Sequence, residues 1–456
     1  MNLHGRKPIY TNARVVDESN LIDVLRDALS AFSANQAEEK YLYDYYKGKQ
    51  EIRYKQKQTR PEINHIVTEN RCFAITDFKT GYICGDPIVY TSRSSDRAVS
   101  DKISDLNDYM AFNYKASLDK ELFDWMHITG HGYRMVLPDA VSDAKFSMVV
   151  VEPMSCFVIK SSDAWHRTLA GVYITTDEER NTVYSVYTPV MYFEVVNNNI
   201  TKKEPHTLGV VPIFEFALNE ARMGSFEPVI ELLDAINYVD SDRLDGITQF
   251  INSLCVLYNA ELPDGETSDT IRDKGLICLK SVGENKADIK IMTEQLDQNA
   301  TQTLKDDLYN TVLQIVGMPN QSDASTADSS NNGAMFLKQG YQLAETRAKG
   351  EELAYKRVHR EETKLILSIL RRFGVMDIDP VEVDITFTRR AYSDIVSKST
   401  VLTTMLNNPL VNPLDAWSLS GISPDPEEST KRGLEWYENK AAKMEKDDAN
   451  NEPVTD

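Results

Sequence analysis

From Ala334 to Phe373 apolar residues recur at helical spacing, and this feature constrains the chain more than any other. Leu337, Tyr341, Ala344, Ala348, Tyr355, Val358, Leu365 and Ile369 fall mostly three or four residues apart, the pattern of one buried stripe on a helix. About forty residues of helix extend on the order of 60 Å, and a rod of that length with one apolar stripe needs neighbours. Just before it, Leu308, Val312, Leu313, Ile315 and Val316 close another apolar-periodic segment, which Gly317, Met318 and Pro319 stop. The connection from Asn320 to Gly333 holds no side chain larger than Gln and no anchor for a core. A polar loop this long between helices is either functional or disordered, and this stretch alone leaves both open.

Taken in order, the chain predicts a helix over Leu21 to Tyr46, ended at Lys47-Gly48-Lys49 with Gly48 placed for a left-handed cap. A basic, extended piece from Arg53 to Arg60 precedes a second helix over Asn64 to Gly81. Gly85-Asp86-Pro87 turns into a short strand, Ile88 to Thr91, and Asp101 to Gly130 reads as helical. Then come short β-branched or aromatic runs: Tyr133 to Leu137, Phe146 to Glu152, Leu169 to Thr175, Thr182 to Tyr187, Val190 to Val196 and Val211 to Phe216. They predict a predominantly antiparallel β region. Ser225 offers an N-cap, with Glu227 in the first turn, for a helix reaching Tyr258 with Asp240 as its single polar interruption. Leu276 to Leu279 and Ile289 to Met292 read as strands of a small insert, and Leu296 to Val316 returns as a helix. Val381 to Phe387 alternates as a strand. Asp394 to Leu406, Pro413 to Leu419 and Glu427 to Met444 are short helices, and the acidic end from Glu445 is predicted to be disordered. The fold class is α+β, and no internal repeat is found.

With 456 residues, 41% hydrophobic and 26% charged, the composition is that of a globular chain with room for about three domains. No apolar run long enough for a membrane span exists, and the polar start, Met1 to Arg14, is not a secretory signal. The five cysteines are scattered without CxxC spacing and read as reduced thiols of a cytosolically made protein. A net charge of −20 repels DNA over most of the surface. Such a chain suits a surface that DNA must pass without sticking.

Catalytic signatures are nearly absent. No GxxxxGK[ST], HExxH, paired CxxC or GxSxG occurs. No metal and no cofactor is expected. His127 and His131 read as structural. Asp264, Asp288 and Lys290 imitate the two carboxylates and lysine of a Mg²⁺-dependent nuclease, although Pro263-Asp264-Gly265 is also an ordinary turn. Arg53, Lys55, Lys57 and Arg60, with Tyr54 interleaved, could touch a phosphate backbone or form a solvated surface.

Three blocks carry a resemblance. Asp44-Tyr45-Tyr46-Lys47-Gly48-Lys49, Asn64-His65-Ile66-Val67 and Gly81 to Tyr90 form the first. Leu208 to Phe216, Ser225-Phe226 and Leu232 to Asn237 form the second. Gly317-Met318-Pro319 with the loop up to Gly333-Ala334 forms the third. In order and spacing they resemble the SPP1-like family of tailed-bacteriophage portal proteins, departing from its usual pattern at Asn219-Glu220 and at Asn332-Gly333-Ala334.

The resemblance implies a portal fold and a ring, usually a dodecamer, at one capsid vertex. Through it double-stranded DNA is packaged by the terminase and later ejected. It implies a wing over 1–223, a stem helix over 224–258, a clip over 259–294 and a returning stem helix over 295–317. A tunnel loop over 318–333, a long helix and strand over 334–390, a crown over 391–445 and an acidic tail over 446–456 would follow. Asn320, Gln321, Ser322, Ser325, Thr326, Ser329, Ser330, Asn331 and Asn332 would face DNA. Asp264, Glu266, Arg272, Lys274 and Lys280 would meet the terminase or the head–tail adaptor. The implied partners are further copies of the chain, the DNA, the terminase large subunit, the adaptor, the major capsid protein and the scaffolding protein. No membrane is involved, and the implied location is the virion, after synthesis in the host cytoplasm. The competing readings are the nuclease and another virion adaptor or scaffold.

Overall fold

The computed structural model describes residues 5–58, 61–93, 96–251, 254–258, 260–261, 280–281, 288–292, 298–320, 341–388, 395–423 and 426–450. The chain divides into two compact units. The first comprises Met1–Lys47, Arg71–Val229 and Leu313–Asp456, and the second Gly48–Asn70 and Ile230–Val312. Helix and sheet are mixed in an α+β arrangement.

Strands β1 (Ile9–Thr11), β5 (Cys156–Ser161), β6 (Thr168–Thr176), β7 (Thr182–Tyr187), β8 (Met191–Val196) and β9 (Asn199–Pro205) form one six-stranded sheet of the first unit, in that order. It is antiparallel except where β1 pairs parallel with β5. Helix α1 (Leu21–Tyr46) covers it because Leu21, Val24, Leu25, Ala28 and Phe32 share one face. These side chains pack against Phe157, Ile159, Ala170, Val172, Val186 and Phe193, and Phe32 stacks on Phe157 at 4.6 Å. Strands β1, β5 and β9 add to the expected set. Cys156–Ser161 is an almost continuously buried run without alternation, whereas Asn199–Pro205 is a lysine-bearing exposed edge.

A second core of this unit lies between the three-stranded sheet β10 (Ile213–Ala217), β3 (His131–Pro138) and β4 (Phe146–Val151) and the helices around it. Those are α2 (Arg71–Cys84), α3 (Arg97–Phe112), α4 (Lys115–Thr129) and α7 (Tyr341–Arg372). The ribbon β2 (Val89–Ser92) with β15 (Val383–Thr386) closes the group. The segment predicted as one helix over Asp101 to Gly130 is therefore two, broken where Tyr114 takes a left-handed φ of 53°. Of the long helix, Tyr341–Arg372 is described, and 334–340 lie outside the described residues. Ala344, Ala348, Tyr355, Leu365 and Ile369 of its predicted stripe are buried. The C-terminal helices are α8 (Ile395–Leu406), α9 (Pro413–Ser420) and α10 (Pro426–Asn450). Because α10 runs to Asn450, the predicted disordered end is helical at least that far.

In the second unit, α5 (Ile230–Ile251) stops before the expected end at Tyr258. Leu254–Tyr258 is instead strand β11, paired antiparallel with β14 (Asp288–Met292). Its apolar, β-branched and aromatic run suits a ladder as well as a helix stripe, and a pairing partner decides it. β12 (Ala260–Glu261) pairs with β13 (Lys280–Ser281). Helix α6 (Gln298–Val316) returns as predicted. The strand predicted at Leu276 to Leu279 lies outside the described residues.

The helix expected from Asn64 begins only at Arg71, and 64–70 is extended. Gly48 does take the left-handed cap, at φ 82°. Ser225 does not cap a helix: its hydroxyl meets His127 Nδ1 at 2.7 Å. Glu227 accepts from the Gly224 amide at 2.8 Å and pairs with buried Arg6.

Candidate functional site

The residues just before the polar loop and the helix after it both belong to the first unit. At its entry, the backbone N–H of Met318 donates to the Leu313 carbonyl at 2.9 Å and that of Gly317 to Gln314 at 3.3 Å. Gly317, at φ 72°, supplies the left-handed residue such a helix end requires. Arg347, on the first turns of α7, donates from Nη1 to the Ile315 carbonyl at 2.6 Å. Its side chain lies so close over Gly317 that an added Cβ would stand 2.6 Å from Cδ. An orphan carbonyl at the end of α6 is thus satisfied by a cation, which the helix dipole also favours there.

Beyond the exit, α7 is locked by a buried charge cluster. Arg134, on β3 with no side-chain exposure, grips Glu362 bidentately from Nε and Nη2, each at 2.5 Å, and Asp119 from Nη1 at 2.5 Å. Lys115 pairs with the other oxygen of Asp119. The Tyr355 hydroxyl donates to Asp119 at 2.7 Å. His359 meets Glu362 at 2.6 Å through Nδ1 and the Tyr90 hydroxyl at 2.8 Å through Nε2. Two cations thus face two carboxylates. Burial alone would raise both carboxyls, yet Lys115 and Arg134 hold Asp119 at about 2, and Arg134 and His359 hold Glu362 at about 2. Burial lowers His359. A neutral ring donating from Nδ1 to Glu362 and accepting from Tyr90 satisfies both contacts. The cluster ties β2, β3, α4 and α7 together, so the helix leaving the loop has a fixed direction.

In the second unit the backbone N–H groups of His65, Val67 and Glu69 donate to Asp245 at 2.7 Å, Ser241 at 3.0 Å and Asn237 at 2.8 Å. These acceptors lie four apart on one face of α5 and are all buried. Lys55 reaches Asp242 at 2.7 Å and Asp245 at 2.9 Å, and Lys57 reaches Asp245 at 3.5 Å. Against the cost of burial, the His65 amide and the Lys55 ammonium hold Asp245 at about 2. The lysines of the basic stretch are therefore engaged by helix carboxylates rather than presented to phosphate.

Among the predicted site residues, Asn320 closes the described entry and is half-buried. Gln321, Ser322, Ser325, Thr326, Ser329, Ser330, Asn331 and Asn332 lie outside the described residues. So do Asp264, Glu266, Arg272 and Lys274. Lys280 stands opposite Glu261 in the β12–β13 pair. Asp288 and Lys290 are strand residues opposite Tyr258 and Val256. His131 faces Glu39 at 3.1 Å and His127 faces Ser225, so the histidine pair is built into the core. Arg134, Asp119, Glu362 and Arg347 were not singled out from the sequence. The signal available for Arg134 was a charged residue inside an otherwise apolar strand run, Tyr133 to Leu137.

Residues 31–452 match the family model described as "Phage portal protein, SPP1 Gp6-like". The chain belongs to this phage portal family. Portal function takes the place of the nuclease reading. Two solved structures are similar at 12% identity. One is the neck of an empty gene transfer agent particle computed with C6 symmetry, with a TM-score of 0.44 over 77% of this chain and 90% of that one. The other is the virion of a native gene transfer agent particle, with a TM-score of 0.43 over 77% and 89%. No curated protein matches the chain. Among the described residues no helix is long and apolar enough to cross a membrane.

Proposed function

We propose that copies of this portal protein close into a ring, a dodecamer in the virion, and that the polar loop from Asn320 to Gly333 lines its bore. The observation that carries this reading is the anchoring of the helices on either side of the loop: Arg347 clamps the end of α6, and the Arg134–Glu362–Asp119 cluster fixes α7. Segments between rigidly packed elements are where binding residues are commonly placed. Short hydroxyl and amide side chains there touch phosphates weakly, without the deep counterion-release wells that would stall a moving duplex. The acidic chain keeps DNA centred. The second unit serves as stem and clip, gripped by terminase and then by the head–tail adaptor, with Lys280 and the neighbouring Asp264, Glu266, Arg272 and Lys274 as contacts. The six-stranded sheet and α1 form the wing toward capsid and scaffolding protein, and α8 to α10 the crown. The role is structural, a conduit without catalysis of its own.

The decisive experiment is the deletion of Ser325 to Asn331. Rings of unchanged mass that package or retain DNA poorly support the reading. A deletion that abolishes folding overturns the placement of the loop.

A further inference from the structure

Helix α3 turns Asp101, Asp105 and Asp108 to solvent at steps of four and three, and four residues on stands Phe112, 60% exposed. None of the three carboxylates has an ion-pair or hydrogen-bond partner among the described residues. On α7 the same spacing recurs with opposite charge: Leu353, 70% exposed, then Arg357, Arg360 and Lys364. Arg357 and Arg360 also lack partners among the described residues, and Lys364 holds only Glu361 of its own helix, at 2.7 Å. Each ridge covers about 16 Å of helix axis. Laid antiparallel, Leu353 meets Phe112, Arg357 meets Asp108, Arg360 meets Asp105 and Lys364 meets Asp101. Within one chain the two ridges do not pair with each other.

We propose that the acidic ridge of α3 on one copy seats on the basic ridge of α7 on the next. This rests on the ring reading and names the surface that closes it. A ring needs a heterologous contact, two different patches on the same molecule, and these two are different and complementary. The same charges oppose a two-fold dimer, because α3 against α3 would set three carboxylates against three. Exposed ion pairs are individually weak, so the ridges fix register and partner choice, while Leu353 and Phe112 add apolar burial at one end.

Charge reversal and swap on the full chain test this. Arg357→Glu with Arg360→Glu, and separately Asp105→Lys with Asp108→Lys, are each expected to shift the native mass from ring to monomer. Circular dichroism should stay that of the folded chain. The four substitutions combined restore the ring, and the wild-type ring loosens as salt screens the ridges. Either pair leaving the ring intact overturns the proposal while the ring itself stands. Intact rings that have only lost DNA retention overturn it in favour of a nucleic-acid contact for α7. A folded swap variant that stays monomeric also overturns it. A wild-type chain that is monomeric before any substitution overturns the ring reading and this inference together.

Discussion

Arg347 donates to the Ile315 carbonyl at 2.6 Å from the far side of the polar loop, so the residues that start and follow the loop are joined by one hydrogen bond. The end of α6 and the start of α7 are thereby held together. The two helices cannot separate there without breaking a charge-assisted contact, which is among the stronger kinds of hydrogen bond.

Arg347→Ala removes that staple and leaves the cores untouched. Stability is expected to drop by only about 1 kcal/mol, since one partly exposed bond is lost. Protease cleavage between Asn320 and Tyr341 should accelerate. Equal cleavage rates in the two proteins would count against the staple.

Gly317→Ala strikes the same place through the backbone. A side chain at φ 72° is strained, and its Cβ would stand 2.6 Å from Arg347 Cδ. The expected loss is roughly 1–2 kcal/mol, read from the midpoint of urea unfolding.

Arg134→Met leaves Glu362 buried without its main counter-charge, while Asp119 keeps Lys115. Breaking one side of such a cluster costs about 3–5 kcal/mol. Arg134→Met combined with Glu362→Gln should cost less than Arg134→Met alone, because the orphaned charge is gone. A double variant weaker than the single would refute this account.

Acidification should remove the stability that the buried charge cluster supplies. Asp119 and Glu362 sit at about 2 against ordinary values of 3.8 and 4.5. Their folded values are depressed, so their contribution is complete above the ordinary values and disappears as pH falls toward about 2. Burial lowers His127 well below 6.5 and His359 below it. Each favours the fold above that value and loses its contribution below it. Denaturation midpoints from about pH 7 to about pH 3 should fall steadily, most steeply below about 4.5. A midpoint that rises on acidification contradicts the cluster's charge assignment.

Asn237→Ala withdraws the acceptor of the Glu69 amide and the donor to Gln50 Oε1 at 2.5 Å. Hydrogen exchange at Glu69 should quicken while His65, held by Asp245, keeps its protection. Uniform exchange along 65–69 would mean that these contacts do not act one by one.

The long periodic helices and the alternating strands could be read directly, because each follows from spacing along one segment. The misreadings have a common cause. Asn64 to Arg71 looks helical by composition, but its amides are taken by Asn237, Ser241 and Asp245, about 170 to 180 positions away in sequence. Leu254–Tyr258 continues a helical stripe until β14 arrives to pair with it. Arg134 and Glu362 are each unremarkable in their own segments and acquire meaning only as a pair. Local pattern carries local structure, whereas partners brought from elsewhere decide these cases.

The ladder between 65–69 and α5 also limits its own length. Two extended residues advance ~6.7 Å while four helical residues advance ~6.0 Å, so each rung slips by ~0.7 Å against the next. Like a vernier scale, the two spacings coincide only over a short window. Three rungs at 2.7 to 3.0 Å fit inside it, and a longer run would drift out of bonding reach. The two spacings thus bound how many such contacts can follow one another along α5.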